Sequence, residues 1–195
     1  MRPELHFRDE RPRRPKPMTS EDFLAWEIRQ EERYEFVDGR IVAMSGANLG
    51  HQQIAGNALL ALRSRLRGGP CRALHDLKIR IPGGSWRYAD VGVDCGPPDP
   101  KALFAGEPRL TLEVESPSTT FLEEADRLED YQSVPSIAHV LILAQNKPRA
   151  RLYTRAGAGW THADVIGLEH SVPLSALGIE LPMAELFEGV AFPEA

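Results

Sequence analysis

Two carboxylates interrupt segments that otherwise read as buried β-strands. Asp90 lies within the apolar residues 87–93, and Glu113 lies within the apolar residues 110–115. An ionised carboxylate near a core is costly unless a cation or a hydrogen-bond donor neutralises it, and such breaks in pattern concentrate at functional sites. Two acidic side chains on neighbouring strands form a minimal site for a hard divalent cation such as Mg²⁺, which prefers oxygen ligands. We therefore expect Asp90 and Glu113 to share a metal ion.

Each carboxylate also has a structural interpretation. Asp90 can be a turn or hydrogen-bonding residue, and Glu113 can pair with an arginine such as Arg109 or Arg127. We favour the metal site because two strand carboxylates without an evident partner are harder to explain separately.

The residues that follow Glu113 carry a family resemblance. The segment Glu113-Val-Glu-Ser-Pro-Ser-Thr119 leads into a predicted helix that ends at Tyr131, and Asp90 stands at the end of a predicted hairpin strand. This arrangement resembles the PD-(D/E)XK nuclease superfamily, in particular its restriction-endonuclease-like family called Uma-two. Three further segments carry the likeness: residues 34–42, 51–54 and 95–99. The resemblance extends from residue 18 to the C-terminus.

The resemblance implies an α/β (α+β) fold, with a restriction-endonuclease-like mixed β-sheet flanked by helices and β-hairpins added near both ends. It implies a Mg²⁺- or Mn²⁺-dependent endonuclease that hydrolyses the phosphodiester bonds of DNA. The metal would be held by Asp90, Glu113 and the backbone carbonyl of Val114. Such ions neutralise charge on the scissile phosphate and lower the pKa of the attacking water.

The catalytic lysine of the family pattern is replaced in this sequence. Glu115 stands at the usual lysine position, and Arg127 stands at the helix position to which the lysine moves in Uma-two-like proteins. Arginine can stabilise developing negative charge but is a poor general base. Alternatively, Arg127 forms an exposed ion pair with Glu123, four residues away on the same helix. A second candidate for the lysine is Lys78, if the hairpin register places it opposite Asp90.

Two further residues gain a function from the resemblance. Glu35 lies on the first strand of a predicted hairpin around Asp38-Gly39 and matches an acidic position near the metal, where it would orient a metal-bound water. The alternative for Glu35 is a solvent-facing strand residue. His51 opens a predicted helix and can meet a phosphate there, although a lone histidine at that position is more often a surface or capping residue.

Composition bounds these expectations. The chain has 195 residues, of which 42% are hydrophobic and 26% charged, and this fits one domain over residues 18–195 after a disordered basic arm at residues 1–17. The net charge of -5 weakly opposes DNA binding. No apolar run approaches the ~20 residues of a membrane span, so we expect a cytoplasmic protein without a membrane partner. We expect Cys71 and Cys95 to face each other at the open end of a hairpin as reduced thiols.

The remaining elements follow from local patterns. Thr19 and Asp22 predict a capped helix, with Phe23, Trp26 and Ile28 turned inward. The acidic helix after Glu113 connects two strands, which implies a parallel, right-handed crossover.

Two classes of function remain. The first is a homodimeric metal-dependent endonuclease. The second is a catalytically degenerate relative that binds nucleic acid or protein, as the missing lysine and the acidic helix suggest. Hydrolysis of RNA or of a nucleotide is a weaker third possibility, because fold resemblance does not fix the substrate.

Overall fold

The computed structural model describes residues 18–44, 46–115 and 121–192. The predicted disordered arm, residues 1–17, lies outside these ranges. The first half of the chain forms six elements: α1 (Ser20–Glu27), β1 (Tyr34–Val37), β2 (Arg40–Ala43), α2 (Leu49–Arg65), β3 (Arg72–Arg80) and β4 (Trp86–Asp94). The second half continues with β5 (Pro108–Val114), α3 (Phe121–Ser133), β6 (His139–Leu143), β7 (Arg149–Ala156), β8 (Gly159–Ile166), β9 (Ser171–Leu174), β10 (Ile179–Pro182) and α4 (Met183–Leu186).

The described strands form a mixed eight-stranded sheet and a separate hairpin of β9 and β10. The sheet order is β2-β1-β4-β5-β6-β7-β8, and β3 pairs with β4 as well. β5 and β6 are parallel because α3 crosses between them, while the other neighbours are antiparallel. The predicted mixed sheet, with hairpins β1–β2 and β7–β8 near its two ends, is confirmed.

One edge of β4 is shared by two strands that leave a gap between them. Trp86 pairs with Arg80 of β3 and with Phe36 of β1. Farther along β4, Val91 pairs with His75 of β3 and with Leu112 of β5. Because β3 occupies the opposite edge at both points, β1 and β5 adjoin the same edge of β4. Residues 87–90 therefore pair with no described strand on that edge. Side chains fill the space that a paired strand would occupy.

Two apolar clusters hold α2 and α3 against the strands. The larger cluster joins α2 and α4 to β4, β5 and β6 through residues that include Ile54, Leu62, Leu110, Leu141 and Leu186. The second cluster contains Tyr131 of α3, with Ile79, Ala89 and Ile142 from the sheet. Leu141 of β6 belongs to the first cluster and its neighbour Ile142 to the second, so α2 and α3 pack on opposite faces of the sheet.

Helix α1 is attached through a buried ion pair. Thr19 caps the helix in a capping box with Asp22, as predicted. Phe23 is fully buried, but Ile28 is 64% exposed, so its predicted inward orientation is wrong. Glu27 is buried instead, where it accepts hydrogen bonds from the Lys78 ammonium and the Tyr88 hydroxyl. Lys78 pairs with Tyr88 in the β3–β4 ladder, so of the registers left open by the sequence the one that places Lys78 opposite Asp90 is excluded.

The predicted reduced state of the two cysteines is wrong. Cys71 and Cys95 form a disulfide, with their Cα atoms 4.1 Å apart. The pairing of Arg72 with Asp94 brings the flanking cysteines together at the open end of the β3–β4 hairpin. The predicted position of the two cysteines is therefore confirmed, and only their oxidation state was predicted incorrectly.

Candidate active site

A cleft of about 1310 Å³ opens over the gap in the edge of β4. Its lining includes all five predicted side chains: Glu35, His51, Asp90, Glu113 and Arg127. They come from β1, α2, β4, β5 and α3, respectively. The diverging strands β1 and β5 therefore gather residues that are distant in the sequence.

Asp90 is held by one side chain and one backbone amide. Its Oδ2 atom accepts a hydrogen bond from the Val114 N–H at 2.8 Å and lies 3.0 Å from His51 Nε2. The hydrogen bond with Asp90 raises the pKa of His51 above its ordinary value, against the opposing effect of burial. Asn48 caps α2 by accepting from the backbone N–H of His51, so the helix start fixes the backbone of His51 and its contact with Asp90 orients the ring.

Glu113 lies between two side chains of α3. The Tyr131 hydroxyl donates to its Oε1 atom at 2.6 Å, and Arg127 Nη1 lies 3.7 Å from the same oxygen. Burial raises the pKa of Glu113 to about 8; Arg127 opposes this shift, and the negative charge of Asp90 adds to it. The site therefore contains two carboxylates that repel each other.

Arg127 is bound at two points by a buried carboxylate. Its Nη1 and Nη2 atoms donate to the two oxygens of Glu35 at 2.8 and 3.2 Å, and Nη1 also reaches the Tyr88 carbonyl. Glu35 further accepts from the Tyr88 N–H and from Arg87 Nη1. Its side chain is 4% exposed, so the alternative of a solvent-facing Glu35 is wrong. The Glu35 carboxylate therefore fixes the orientation of the Arg127 guanidinium.

The donor atoms at the gap suit a hard cation. The N–H of Val114 points toward β4, where it donates to Asp90. In a β-strand the N–H and the C=O of one residue point to the same side, so the Val114 carbonyl also points toward β4. A cation would take this carbonyl oxygen and the carboxylates of Asp90 and Glu113, and it would relieve their mutual repulsion. The described residues contain no group of three or more His, Cys, Asp or Glu side chains placed to hold a metal.

Two residues of the site were not predicted from the sequence. Tyr131 donates to Glu113, and Arg87 donates to Glu35. Tyr131 follows Arg127 by four residues, so helical spacing could have placed both on one face. No comparable signal was available for Arg87. Lys78, the alternative to Arg127, is occupied with Glu27.

The relationship of the chain to known proteins follows from its sequence and its fold. The Uma2 family model, described as "Putative restriction endonuclease", matches residues 20–184. The chain belongs to the Uma2 family. The uncharacterized protein slr1290 of Synechocystis sp. is 31% identical over 179 residues, which cover 90% of this chain and 94% of the relative. A second uncharacterized Synechocystis protein, sll1609, is 24% identical over 170 residues, covering 84% and 96% of the two chains.

A solved structure shares the fold of this Uma2 protein. It is the crystal structure of "a putative nuclease belonging to DUF820" from Anabaena variabilis, with a TM-score of 0.73 and 17% identity over 90% of this chain and 100% of that chain. This likeness confirms the restriction-endonuclease-like fold. Across the described residues of the Uma2 protein, no helix has the length and apolar character of a membrane span.

Proposed function

We propose that this Uma2 protein is a Mg²⁺- or Mn²⁺-dependent endonuclease that hydrolyses phosphodiester bonds of DNA. The observation that carries the proposal is the convergence of Asp90, Glu113 and Arg127 on one cleft at the open edge of β4. Asp90, Glu113 and the Val114 carbonyl would hold the metal, which supplies charge neutralisation and an acidified water.

Arg127 serves in this proposal as the group that stabilises charge. Its guanidinium has five N–H donors, and the bonds to Glu35 and Tyr88 occupy only part of them. It stays protonated at all working pH values, so it can bind the phosphate oxygens as negative charge develops but cannot act as the base. Glu35 then positions Arg127 instead of orienting a metal-bound water. His51 and the Val114 N–H together orient Asp90.

The DNA partner, the homodimer and the cytoplasmic location belong to the same proposal. Cleavage of both strands of a duplex calls for two sites, and an elution mass of one chain in gel filtration would contradict the dimer. The Cys71–Cys95 disulfide is more typical of oxidising compartments and opposes the cytoplasmic location.

A second candidate is a degenerate nuclease fold that binds nucleic acid or protein without cutting. Arg127 in place of lysine supports it. Glu123, Glu124 and Asp126, which line the cleft near Arg127, add negative charge that disfavours a DNA backbone.

Cleavage of supercoiled plasmid separates the two candidates. We expect nicked or linear product with Mg²⁺ or Mn²⁺ and none with a chelator. Asp90→Asn, Glu113→Gln and Arg127→Met should each lower the rate at least about 100-fold, the scale seen when one transition-state contact is removed. Glu129→Gln, which neutralises an exposed residue of the same helix outside the cleft lining, is the matched control and should keep the parental rate. Metal-independent DNA binding without cleavage would favour the binding module.

A further inference from the structure

The guanidinium of Arg87 joins three elements beside the cleft. Arg87 belongs to β4, and its side chain is 9% exposed. Its Nη1 atom donates to Glu35 Oε2 of β1 at 3.2 Å, and its Nε atom donates to Asp130 Oδ2 of α3 at 2.6 Å. A charged group this well covered is stable only with such partners, because an unpaired buried charge is costly.

These contacts close a ring that contains Arg127. Arg127 and Asp130 are three residues apart and share one side of α3. Glu35 binds Arg127, and Arg87 binds both Glu35 and Asp130. The four charges alternate and sum to zero. Arg127 is therefore bound most closely by Glu35, at 2.8 Å, and forms a longer ion pair of 3.7 Å with Glu113.

We infer that Arg87 is a positioning residue, which holds Arg127 beside Glu113 through Glu35 at one end and Asp130 at the other. The effect of Arg87 on catalysis rests on the proposed nuclease function. Its effect on the position of Arg127 does not depend on that function. Arg87 acts through its neighbours: it fixes α3 against β1 and β4 at the turn of the helix that carries Arg127.

Nuclear magnetic resonance of the arginine side chains tests the geometry without any cleavage assay. The guanidinium signal of Arg127, assigned by its loss in Arg127→Lys, should show slow proton exchange in the parent. Arg87→Met should accelerate that exchange about tenfold or more, since residues of one ion network couple by amounts of this size. Arg87→Lys keeps the charge but not the two-point bridge, so it should restore part of the protection.

Two further variants keep the test decisive. Arg65→Met breaks a two-point pair with Glu185, at 2.8 Å for both bonds, far along the chain from α3, and should leave the Arg127 signal unchanged. Asp130→Asn weakens the other end of the Arg87 bridge and should reproduce the effect of Arg87→Met, even if the latter does not fold. Parental Arg127 exchange in Arg87→Met or in Asp130→Asn would overturn the inference, as would equal acceleration in Arg65→Met.

Cleavage kinetics then assess the catalytic meaning. Arg87→Met should lower kcat about tenfold while KM for DNA and the Mn²⁺ affinity stay near the parental values, because its largely buried guanidinium is already bound by Glu35 and Asp130. If the parent does not cleave DNA, the proposed function fails, and the exchange measurement still decides the role of Arg87.

Discussion

Glu113 is the residue whose ionisation distinguishes the site most clearly from an ordinary surface. Burial raises its pKa from the ordinary 4.5 to about 8. The native protein therefore keeps a proton between these values that the unfolded chain releases. Stability contributed in this way is lost as pH rises through the window, with a slope of at most about 1.4 kcal/mol per pH unit.

We predict that this slope disappears in Glu113→Gln. The free energy of unfolding of the metal-free protein, measured by urea titration between pH 5 and 8, should fall more steeply with pH in the parent than in the variant. His51, whose pKa is also raised, contributes a slope of the same sign, so the comparison is made as the difference between the two proteins. Parallel pH profiles would show that Glu113 is ionised in the native state at neutral pH.

The burial of Glu35 could not be predicted from the sequence. A strand carboxylate beside a hairpin turn fits a solvent-facing position as well as a site position, since each strand alternates its faces. Its burial depends on Arg87 and Arg127, which lie 52 and 92 residues away. Ion pairs between residues this far apart leave no signal in the local pattern of apolar and polar residues.

At the scale of elements, the buried pair of Lys78 and Glu27 attaches α1 to the hairpin of β3 and β4. We predict that Lys78→Met lowers the free energy of unfolding by about 3–5 kcal/mol, because it leaves Glu27 buried without its cation. The double variant Lys78→Met/Glu27→Gln should recover most of the loss, with the Tyr88 hydroxyl retaining an acceptor. Urea unfolding of the three proteins measures both effects. A double variant no more stable than Lys78→Met would contradict this role.

The Cys71–Cys95 disulfide should stabilise the open end of the same hairpin. We predict that replacing both cysteines with serine lowers the free energy of unfolding by about 2–4 kcal/mol, the usual range for a loop of this length. Thiol titration of the denatured protein, purified without reductant, should detect no free thiol before reduction and two afterwards. Two free thiols before reduction would contradict the bond.

The elements with strong local signals were predicted well. The Asp38-Gly39 hairpin, the Thr19 capping box and the crossover through α3 are confirmed, because turn chemistry and periodicity are written in neighbouring residues. The register of β3 on β4 was not predictable. The pairs His75–Val91 and Leu77–Ala89 keep one register on both sides of Asp76, although Asp76 has a positive φ of 46°. Registers that differ by two residues place the same side chains on each face, so the alternation of the sequence does not choose between them.

At the scale of the molecule, the fold and family follow from the sequence, while the role of the protein depends on a small number of charges. The cleft combines the carboxylates of Asp90 and Glu113, which we propose as metal ligands, with the guanidinium of Arg127. A nuclease and a binding module share this fold, so fold alone does not separate them. The difference lies in whether Asp90 and Glu113 act together on one cation.

Calorimetric titration of Mn²⁺ into the purified protein tests that claim most directly. We predict saturable binding in the parent that both Asp90→Asn and Glu113→Gln abolish, with Glu129→Gln, a change outside the cleft lining, binding as the parent does. Because phosphate can complete a metal site, the titration is repeated with plasmid DNA present. Absence of binding under both conditions, or binding indifferent to the two substitutions, would contradict the shared metal site.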